Sequence, residues 1–401
     1  MISGDIASIL EGVTSKPVAP IGLVVMPGAE KLGEQVNSYL MHWKDAPENG
    51  QEVLLTTFGE NKDSFIINVS CPRFGSGEGK ALIRESVRGY DLYILSDVTN
   101  YSIEYEMYGR KVPMSPDNHY NDLKRVICAA SNTGYRVNVI MPFLFESRQH
   151  KRTGRESLDC AMCLQELDAL GVANIITFDA HDPRVVNAMP MGGFQNIMPT
   201  YQNIKTILKK VPNLQIDKEH MMVISPDEGA AGRNIYYATT MGLNMGMFYK
   251  RRDYTTIVNG RNPIVAHEYL GDSVEGKDVI IADDILATGD SLLDLAKKLK
   301  AMKCRRIIMI ATFGLFTMGI QRFKDAYAAG LFDYLVTTNL NYLPEEYLSE
   351  PWLLQANLSK YLAYIIATLN HNRSIETILD PVGRINRIME RYRSGEFGQQ
   401  Q

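Results

Sequence analysis

Short apolar runs, each next to a stretch with helical periodicity, recur along most of this 401-residue chain. The runs read IGLVV, LYIL, VNVIM, NIITF, MMVIS, DVIIA and RIIMIATF. Unbroken apolar runs of this length are typical of strands that are buried on both faces, and crossover helices between such strands give a parallel sheet. The pattern therefore predicts an α/β protein whose sheets are flanked by helices.

The alternation occurs twice, from about residue 21 to 178 and again from about 221 to 336. The segment MPMGGFQNIMPTYQN, rich in Met, Pro and Gly, separates the two series and is typical of a connection between domains. We therefore predict two domains of similar design, over 1–200 and 201–375. The remaining residues, 376–401, are predicted to form a polar tail, which frays from about Arg384.

Composition excludes several classes of protein. A formal net charge of −4 and a pI near 6.0 disfavour a nucleic-acid binder, which usually presents a basic face. No apolar run approaches the ~18 residues of a spanning helix, so we expect no membrane insertion. The five cysteines are irregularly spaced, which is unlike a disulfide framework and favours the cytoplasm. Cys160 and Cys163 lie one helical turn apart without a second pair, which indicates core packing rather than zinc or redox chemistry.

Two adjacent carboxylates, Asp283 and Asp284, directly follow the apolar run Val279–Ala282. Ligands of open α/β sheets bind outside the carboxyl ends of the strands, so these acids are candidates for a site. The turn Thr288–Ser291 offers backbone N–H groups, two hydroxyls and a helix N-terminus, which together can hold a phosphate. The acids would then bind sugar hydroxyls or a magnesium ion. Alternatively, these residues only cap a helix.

The segment DDILATGDS resembles the DDxxxTGGT signature that phosphoribosyltransferases and phosphoribosyl pyrophosphate synthetases share. Five further segments resemble synthetase motifs in the same order: FGSGEGKALIRESVRGYDLYIL, NVIMPFLFESRQHKRTGRESLDCA, ITFDAHD, VISPDEGAAGR and FYKRRD. The chain is thus identified as a divergent member of the ribose-phosphate pyrophosphokinase family, over about residues 21–381. The resemblance implies two tandem type I phosphoribosyltransferase-like domains, each a mainly parallel sheet flanked by helices.

The resemblance also implies an activity. The chain would transfer the pyrophosphoryl group of MgATP to the anomeric hydroxyl of ribose 5-phosphate, with Mg²⁺ as cofactor. Because base contacts in this family cross between subunits, a homo-oligomer built from dimers, up to a hexamer, is implied. Two alternatives remain: a phosphoribosyltransferase that uses the same phosphate loop, and a catalytically weak or silent regulatory homologue that binds nucleotide.

Site residues follow from the matched motifs. The implied catalytic residues are Lys250 and Arg252. The implied ATP contacts are Phe74, Ser76, Glu78, Arg148, Gln149, Arg155 and His181. The implied ribose 5-phosphate contacts are Asp283, Asp284, Thr288, Gly289, Asp290 and Ser291. The implied magnesium ligands are His181 and Asp227. The alternatives are ordinary ones: a solvated basic cluster at 250–252, a core position for Phe74 and a surface position for Glu78. His150 and His267 are interpreted as structural, hydrogen-bonding residues.

The chain departs from the family pattern at several positions. Ala287 stands where synthetases usually carry an acid, and Asp290 replaces a glycine of the phosphate loop. An acid beside a phosphate is unfavourable, so the Asp290 side chain is expected to point outward. Residues 102–117 have no recognised counterpart. The overlapping stretch Met107–Asn121, with two prolines and few apolar residues, is predicted to be a surface loop.

Overall fold

The computed structural model describes residues 16–45, 63–131, 133–252 and 264–396; for residues 45, 250–252, 264–267 and 377 it describes the backbone alone. The chain forms two compact units, each with its own sheet. The first comprises Met1–Pro199, Asn339–Tyr342 and Asn357–Asp380. The second comprises Thr200–Thr338, Leu343–Ala356 and Pro381–Gln401.

The first unit contains a six-stranded parallel sheet with the order β10-β9-β8-β5-β1-β2. Its strands are β1 (Ile21–Val25), β2 (Ile66–Ile67), β5 (Asp91–Leu95), β8 (Arg136–Ile140), β9 (Asn174–Phe178) and β10 (Gly193–Ile197). Two smaller antiparallel pairs accompany it: β3 (Val69–Ser70) with β4 (Leu82–Ile83), and β6 (Glu104–Met107) with β7 (Arg110–Pro113). The helices are α1 (Glu30–Asp45), α2 (Pro116–Ala130), α3 (Asp159–Ala169), α9 (Ser359–Asn370) and α10 (Glu376–Leu379).

The second unit contains a seven-stranded sheet with the order β13-β12-β11-β14-β15-β16-β17, parallel except at β13. Its strands are β11 (Met221–Ser225), β12 (Asn244–Arg252), β13 (Ile264–Leu270), β14 (Asp278–Leu286), β15 (Arg306–Gly314), β16 (Tyr334–Thr338) and β17 (Leu353–Ala356). Its helices are α4 (Thr200–Lys210), α5 (Ala231–Met241), α6 (Asp290–Ala301), α7 (Gln321–Ala328), α8 (Glu345–Leu348) and α11 (Val382–Arg393). The α/β prediction is confirmed.

Because the strands are buried, their residues are apolar, and this made the strands predictable from the sequence. All five residues of β5 and of β11 are buried, as expected for strands with helices on both faces. In the second unit the core continues under α6 and α7, where Phe323, Phe332 and Trp352 pack around one another. Within the described residues, no helix is both long and apolar enough to cross a membrane.

The C-terminal region differs from the expected division of the chain. Helix α9 lies in the first unit, where Tyr364 stacks on Trp43 of α1 with ring centroids 4.4 Å apart. Asn370, at the end of α9, donates to the Ala19 carbonyl at 2.9 Å. Residues 357–375 therefore belong with the first sheet rather than with 201–375. This return of the chain depends on contacts between distant segments, which no local pattern encodes.

The expected polar tail contains ordered helices. Helix α11 buries Ile385, Ile388 and Met389, which recur at helical spacing, and packs against α4 and α5. Arg384 is buried beside them, whereas the other charged residues of the helix are exposed. The prediction that the chain frays from about Arg384 is therefore wrong for 384–393, because a narrow apolar stripe is enough to dock a helix.

The predicted surface loop over Met107–Asn121 is also wrong. Strands β6 and β7 form a hairpin, and α2 begins at Pro116 with Ser115 as its N-cap. Ser115 and Asn118 form a reciprocal capping box, and proline is favoured in the first helical turn. The prolines that suggested a loop thus mark the end of a strand and the start of a helix.

Candidate functional site

Polar side chains of the second unit collect where the strand order reverses. Strands β11 and β14 are neighbours in the sheet, although β12 and β13 come between them in the chain. Asp227 follows β11, and the acids of β14 lie at the same carboxyl edge. In open α/β sheets this point of reversal is where ligands bind. The topology therefore brings Asp227, Asp283 and Asp284 to one edge.

The acid pair lies within strand β14 rather than after it. The strand was expected to end at Ala282 but continues to Leu286, paired with β15 through Asp283, Ile285 and Leu286. On the other side β11 has ended, and the buried Asn234 side chain takes its place. Its amide donates to the Ala282 carbonyl at 2.8 Å and accepts from the Ala282 N–H at 3.0 Å. This side chain keeps β14 extended up to the acids.

Arg233 on α5 is the cation that faces the acid pair. Its guanidinium lies 3.8 Å from Asp283 and 3.9 Å from Asp284. Burial, followed by repulsion from Asp284, raises the pKa of Asp283 above its ordinary value. The pair is thus poised to take up a hydrogen-bond donor or a cation, either of which favours the charged form. Arg233 was not singled out from the sequence, although it ends the SPDEGAAGR segment.

The turn after β14 forms an anion-binding arrangement. Gly289 has φ of +81°, a conformation that favours glycine, and α6 begins directly after it without a side-chain cap. A Cβ on Gly289 would lie 2.2 Å from Cζ of the buried Phe323, so the loop backbone is held close to the core. Thr288 and Ser291 are exposed. An uncapped helix N-terminus beside exposed hydroxyls is a favourable place for a phosphate.

Asp290 in this turn is balanced by a cation. Its side chain is exposed, as expected, and pairs with Arg322 at the start of α7. Arg322 also donates to the Thr288 carbonyl at 3.3 Å. This ion pair holds the pKa of the Asp290 carboxyl below its ordinary value. Arg322 carried no local sequence signal, since its partner lies 32 positions away.

Strand β12 brings the backbone of the predicted catalytic residues, Lys250 and Arg252, to this edge of the sheet. The strand pairs with β11 up to Met247, opposite Ser225, and continues through Lys250 to Arg252. The side chains of Lys250, Arg252 and His267 lie outside the described part of the structure, so their predicted roles stay predictions.

His181 of the first unit follows β9 and is exposed. Its ring centroid lies 5.2 Å from that of His150, whose Nε2 is 3.4 Å from an Asp182 oxygen. Asp182 accepts from Arg184, which holds the pKa of the carboxyl well below its usual range. Burial lowers the pKa of His150, which favours the neutral imidazole beside His181. These contacts agree with a structural role for His150.

The loop after β8 carries the other predicted phosphate contacts of this unit. Arg148 and Arg155 are exposed, and Gln149 donates to the Ser157 carbonyl at 2.8 Å. Strands β8 and β9 are neighbours, so this loop and His181 share the carboxyl edge of the first sheet. Two exposed arginines and an exposed histidine make this edge suitable for a polyphosphate.

The remaining predicted ATP contacts lie on a separate tight turn. Phe74 donates its N–H to the Glu78 carbonyl at 2.8 Å, and the Ser76 hydroxyl donates to the Glu78 carboxylate at 2.7 Å. Phe74 is 54% exposed, which argues against a core position. The ring, the hydroxyl and the carboxylate are thus presented to solvent together.

The predicted magnesium ligands belong to different units. Asp227 is half-buried and accepts from the Ala230 N–H at 3.1 Å, while His181 is exposed. No group of three or more His, Cys, Asp or Glu within the described ranges is arranged to hold a metal. Mg²⁺ is usually held by one or two carboxylates plus substrate phosphates, and the carboxylate of Asp227 fits that mode.

The cysteine pair is structural, as predicted. Cys160 and Cys163 are buried residues of α3 with free thiols. Burial raises the pKa of both thiols to about 12, so neither is a reactive thiolate at neutral pH.

Models of known protein families match both halves of the chain. A family model for the N-terminal domain of ribose phosphate pyrophosphokinase matches residues 22–171. A model for the phosphoribosyl transferase domain matches residues 192–338.

Relatives that cover 66% to 84% of this chain carry the same family name. A ribose-phosphate pyrophosphokinase of Mycoplasma pneumoniae is 27% identical over 269 residues, 66% of this chain and 74% of the relative. One of Corynebacterium efficiens is 23% identical over 84% of this chain and 98% of its own length. The crystal structure of phosphoribosylpyrophosphate synthetase from Mycobacterium smegmatis has a TM-score of 0.66 at 19% identity, covering 88% of this chain and 99% of that one. That structure supports the fold. The two family models and the relatives show that the chain belongs to the ribose-phosphate pyrophosphokinase family.

Proposed function

We propose that this protein transfers the pyrophosphoryl group of ATP to the anomeric hydroxyl of ribose 5-phosphate, giving phosphoribosyl pyrophosphate and AMP. The anomeric oxygen attacks the β-phosphorus of ATP, the bond from that phosphorus to the AMP oxygen breaks, and the hydroxyl proton is released. The observation that carries the proposal is the uncapped start of α6 at Gly289, next to the acid pair of β14. Such an edge can bind a sugar phosphate through its phosphate at the turn and through its hydroxyls at the acids.

The ribose 5-phosphate would bind with its phosphate on the turn. Backbone N–H groups at the start of α6 and the hydroxyls of Thr288 and Ser291 would bind the phosphate, and Gly289 permits the close approach. Asp283 and Asp284 would accept hydrogen bonds from ribose hydroxyls. Because Ala287 cannot supply the acid that synthetases usually carry at this position, one charged hydrogen bond of about 1.5–3 kcal/mol is missing, which predicts a slower enzyme.

The ATP would be bound by cations and by the Phe74 turn. Arg148 and Arg155 would neutralise phosphate oxygens, Gln149 and Ser76 would add hydrogen bonds, and Glu78 would accept from the adenine amino group. Phosphoryl transfer depends mainly on positioning and on neutralising charge, so Lys250 and Arg252 would stabilise the transition state.

A magnesium ion bound with the nucleotide would neutralise phosphate charge. Asp227 would hold it, with most of its ligands supplied by phosphates and water. His181 is a further ligand that the family resemblance implies. The family resemblance supports a homo-oligomer built from dimers, and the irregular cysteine spacing supports a location in the cytoplasm. Both stay predictions.

The direct test is to incubate the protein with ATP, magnesium and ribose 5-phosphate, and to measure AMP. We expect AMP formation with ribose 5-phosphate and much less with other pentose phosphates. A parallel reaction of phosphoribosyl pyrophosphate with a purine or pyrimidine base tests the transferase alternative through pyrophosphate release. Folded protein that forms no AMP would overturn the proposal and favour a silent regulatory homologue.

The pair formed by Asp290 and Arg322 predicts a charge dependence of substrate binding. Arg322→Gln leaves an unbalanced acid beside the sugar phosphate, so the KM for ribose 5-phosphate should rise roughly two- to fivefold, the scale of exposed ion pairs. Asp290→Asn should lower that KM, and the double variant should return it close to the starting value. The KM for ATP serves as the control. Equal changes in both KM values would mean that the pair only supports the loop.

A further inference from the structure

The hairpin formed by β6 and β7 ends in a turn with an unusual residue. Tyr108 and Gly109 have φ of 49° and 70°, the left-handed pair of a type I′ turn. Asn or Gly is favoured at the first of these positions, whereas a bulky side chain there is strained. Tyr108 is nevertheless 79% exposed. A strained, exposed aromatic ring suggests a function for that ring.

The tip of the hairpin is fixed to the Phe74 turn. The Tyr108 N–H donates to the Gly75 carbonyl at 2.9 Å, so the two backbones lie side by side. Gly77 has φ of +94°, and a Cβ there would lie 2.6 Å from Sδ of Met107. Farther down, the Arg73 guanidinium lies 5.2 Å from the centre of the Tyr105 ring. These contacts hold the hairpin and the Phe74 turn side by side.

The base of the Phe74 turn is rigid. Arg73 makes two hydrogen bonds of 2.7 Å to Asp122 of α2, and Arg125 binds the same carboxylate at 2.7 Å. Arg73 also bridges to Gly79 across the turn. A bidentate, largely buried arginine–carboxylate pair holds its geometry well. The exposed end of the turn is therefore presented on a fixed support.

Two exposed aromatic side chains thus start from neighbouring backbones. Phe74 precedes Gly75, which accepts from Tyr108, and the Phe74 ring has Lys80 Nζ at 5.7 Å. Glu78 adds a carboxylate that can accept a hydrogen bond from an amino group. Aromatic rings with one acceptor suit a flat heterocycle that carries an amino group, because each ring can stack on its face.

We propose that Tyr108 is a further specificity residue, which contacts the adenine base of ATP together with Phe74 and Glu78. This inference rests on the proposed function, since it deepens the assignment of the Phe74 turn as the base site. The hairpin, which has no recognised counterpart in the family motifs, would then be an addition that strengthens base binding in this chain.

The test uses Tyr108→Asn in the full-length protein. Asn is favoured in this turn, so the variant should fold at least as well as the parent, and its melting temperature checks this. Loss of one stacking contact should weaken ATP binding about tenfold by calorimetry and raise the KM for ATP by a similar factor. The KM for ribose 5-phosphate should not change, and Tyr108→Phe should keep ATP affinity.

Tyr135→Asn is the matched control, since Tyr135 is an exposed tyrosine of the same unit next to the start of β8. It should leave ATP binding unchanged. Unaltered ATP affinity in folded Tyr108→Asn would overturn the inference, and a changed oligomeric state with unaltered ATP affinity would assign Tyr108 to a subunit contact instead. Calorimetry does not need turnover, so protein that binds ATP through Tyr108 but forms no AMP would contradict the proposed function alone.

Discussion

Gly289→Ala is expected to remove most activity with ribose 5-phosphate. The added Cβ would lie 2.2 Å from Cζ of Phe323 and 2.7 Å from its Cε2, and Phe323 is fully buried. The left-handed conformation costs an alanine about 1–2 kcal/mol, and overpacking costs about 1–3 kcal/mol more. We expect unfolding in urea to show a loss of roughly 2–5 kcal/mol. Because the turn must shift, kcat/KM should fall about a hundredfold or more.

Gly276→Ala is the matched control for this prediction. Gly276 has φ of +74° in the same unit, and a Cβ there would meet nothing within 4 Å. The control has the backbone strain without the clash, so it should lose about 1–2 kcal/mol of stability and keep its activity. A Gly289→Ala variant with an unchanged KM for ribose 5-phosphate would show that this turn does not hold the phosphate.

Lys250→Ala should lower kcat more than Gly289→Ala does. A cation that stabilises charge on a transferred phosphoryl group accounts for about 10³-fold or more in kcat. Strand β12 carries the Lys250 backbone past the end of β11, to the edge that holds the acids. We expect kcat to fall by about that factor, with ATP affinity measured by calorimetry changed far less.

Two further variants serve as controls for this prediction. Lys250→Arg preserves the charge and should recover part of the turnover, while Lys210→Ala, at the exposed end of α4, should have no effect. Normal turnover in Lys250→Ala would remove the lysine from the chemistry and would favour the reading of 250–252 as a solvated basic cluster.

The sheets were predictable because their strands are buried on both faces. Runs such as MMVIS and DVIIA are apolar at every position or nearly so, which is what a central parallel strand requires. The acid pair and the turn at 288–291 were predictable for a related reason, since polar residues directly after such runs mark the carboxyl edge of the sheet.

The missed features depend on contacts between distant residues. The extension of β14 through its acids needs the Asn234 side chain, 48 positions away. The partners of the acids and of Asp290, namely Arg233 and Arg322, become visible only when helices α5 and α7 are placed beside β14 and the turn. Arg322 had no local signal, whereas Arg233 had one in the SPDEGAAGR segment that it ends.

The hairpin was missed because its local signals are weak. The residues of β6 and β7 are exposed or half-buried, so apolar alternation is faint, and Tyr-Gly replaces the Asn-Gly that would have marked the turn. Helix α11 was missed because its apolar stripe is narrow among charged residues. In both cases the packing partner, not the segment itself, determines the structure.

The central claim is tested most directly by the phosphorus NMR spectrum of a reaction that contains the protein, ATP, magnesium and ribose 5-phosphate. We predict equal amounts of AMP and of a sugar that keeps its 5-phosphate and gains a diphosphate on C1. ADP in place of AMP, or an unchanged sugar phosphate in the presence of folded protein that binds both substrates, would contradict the account.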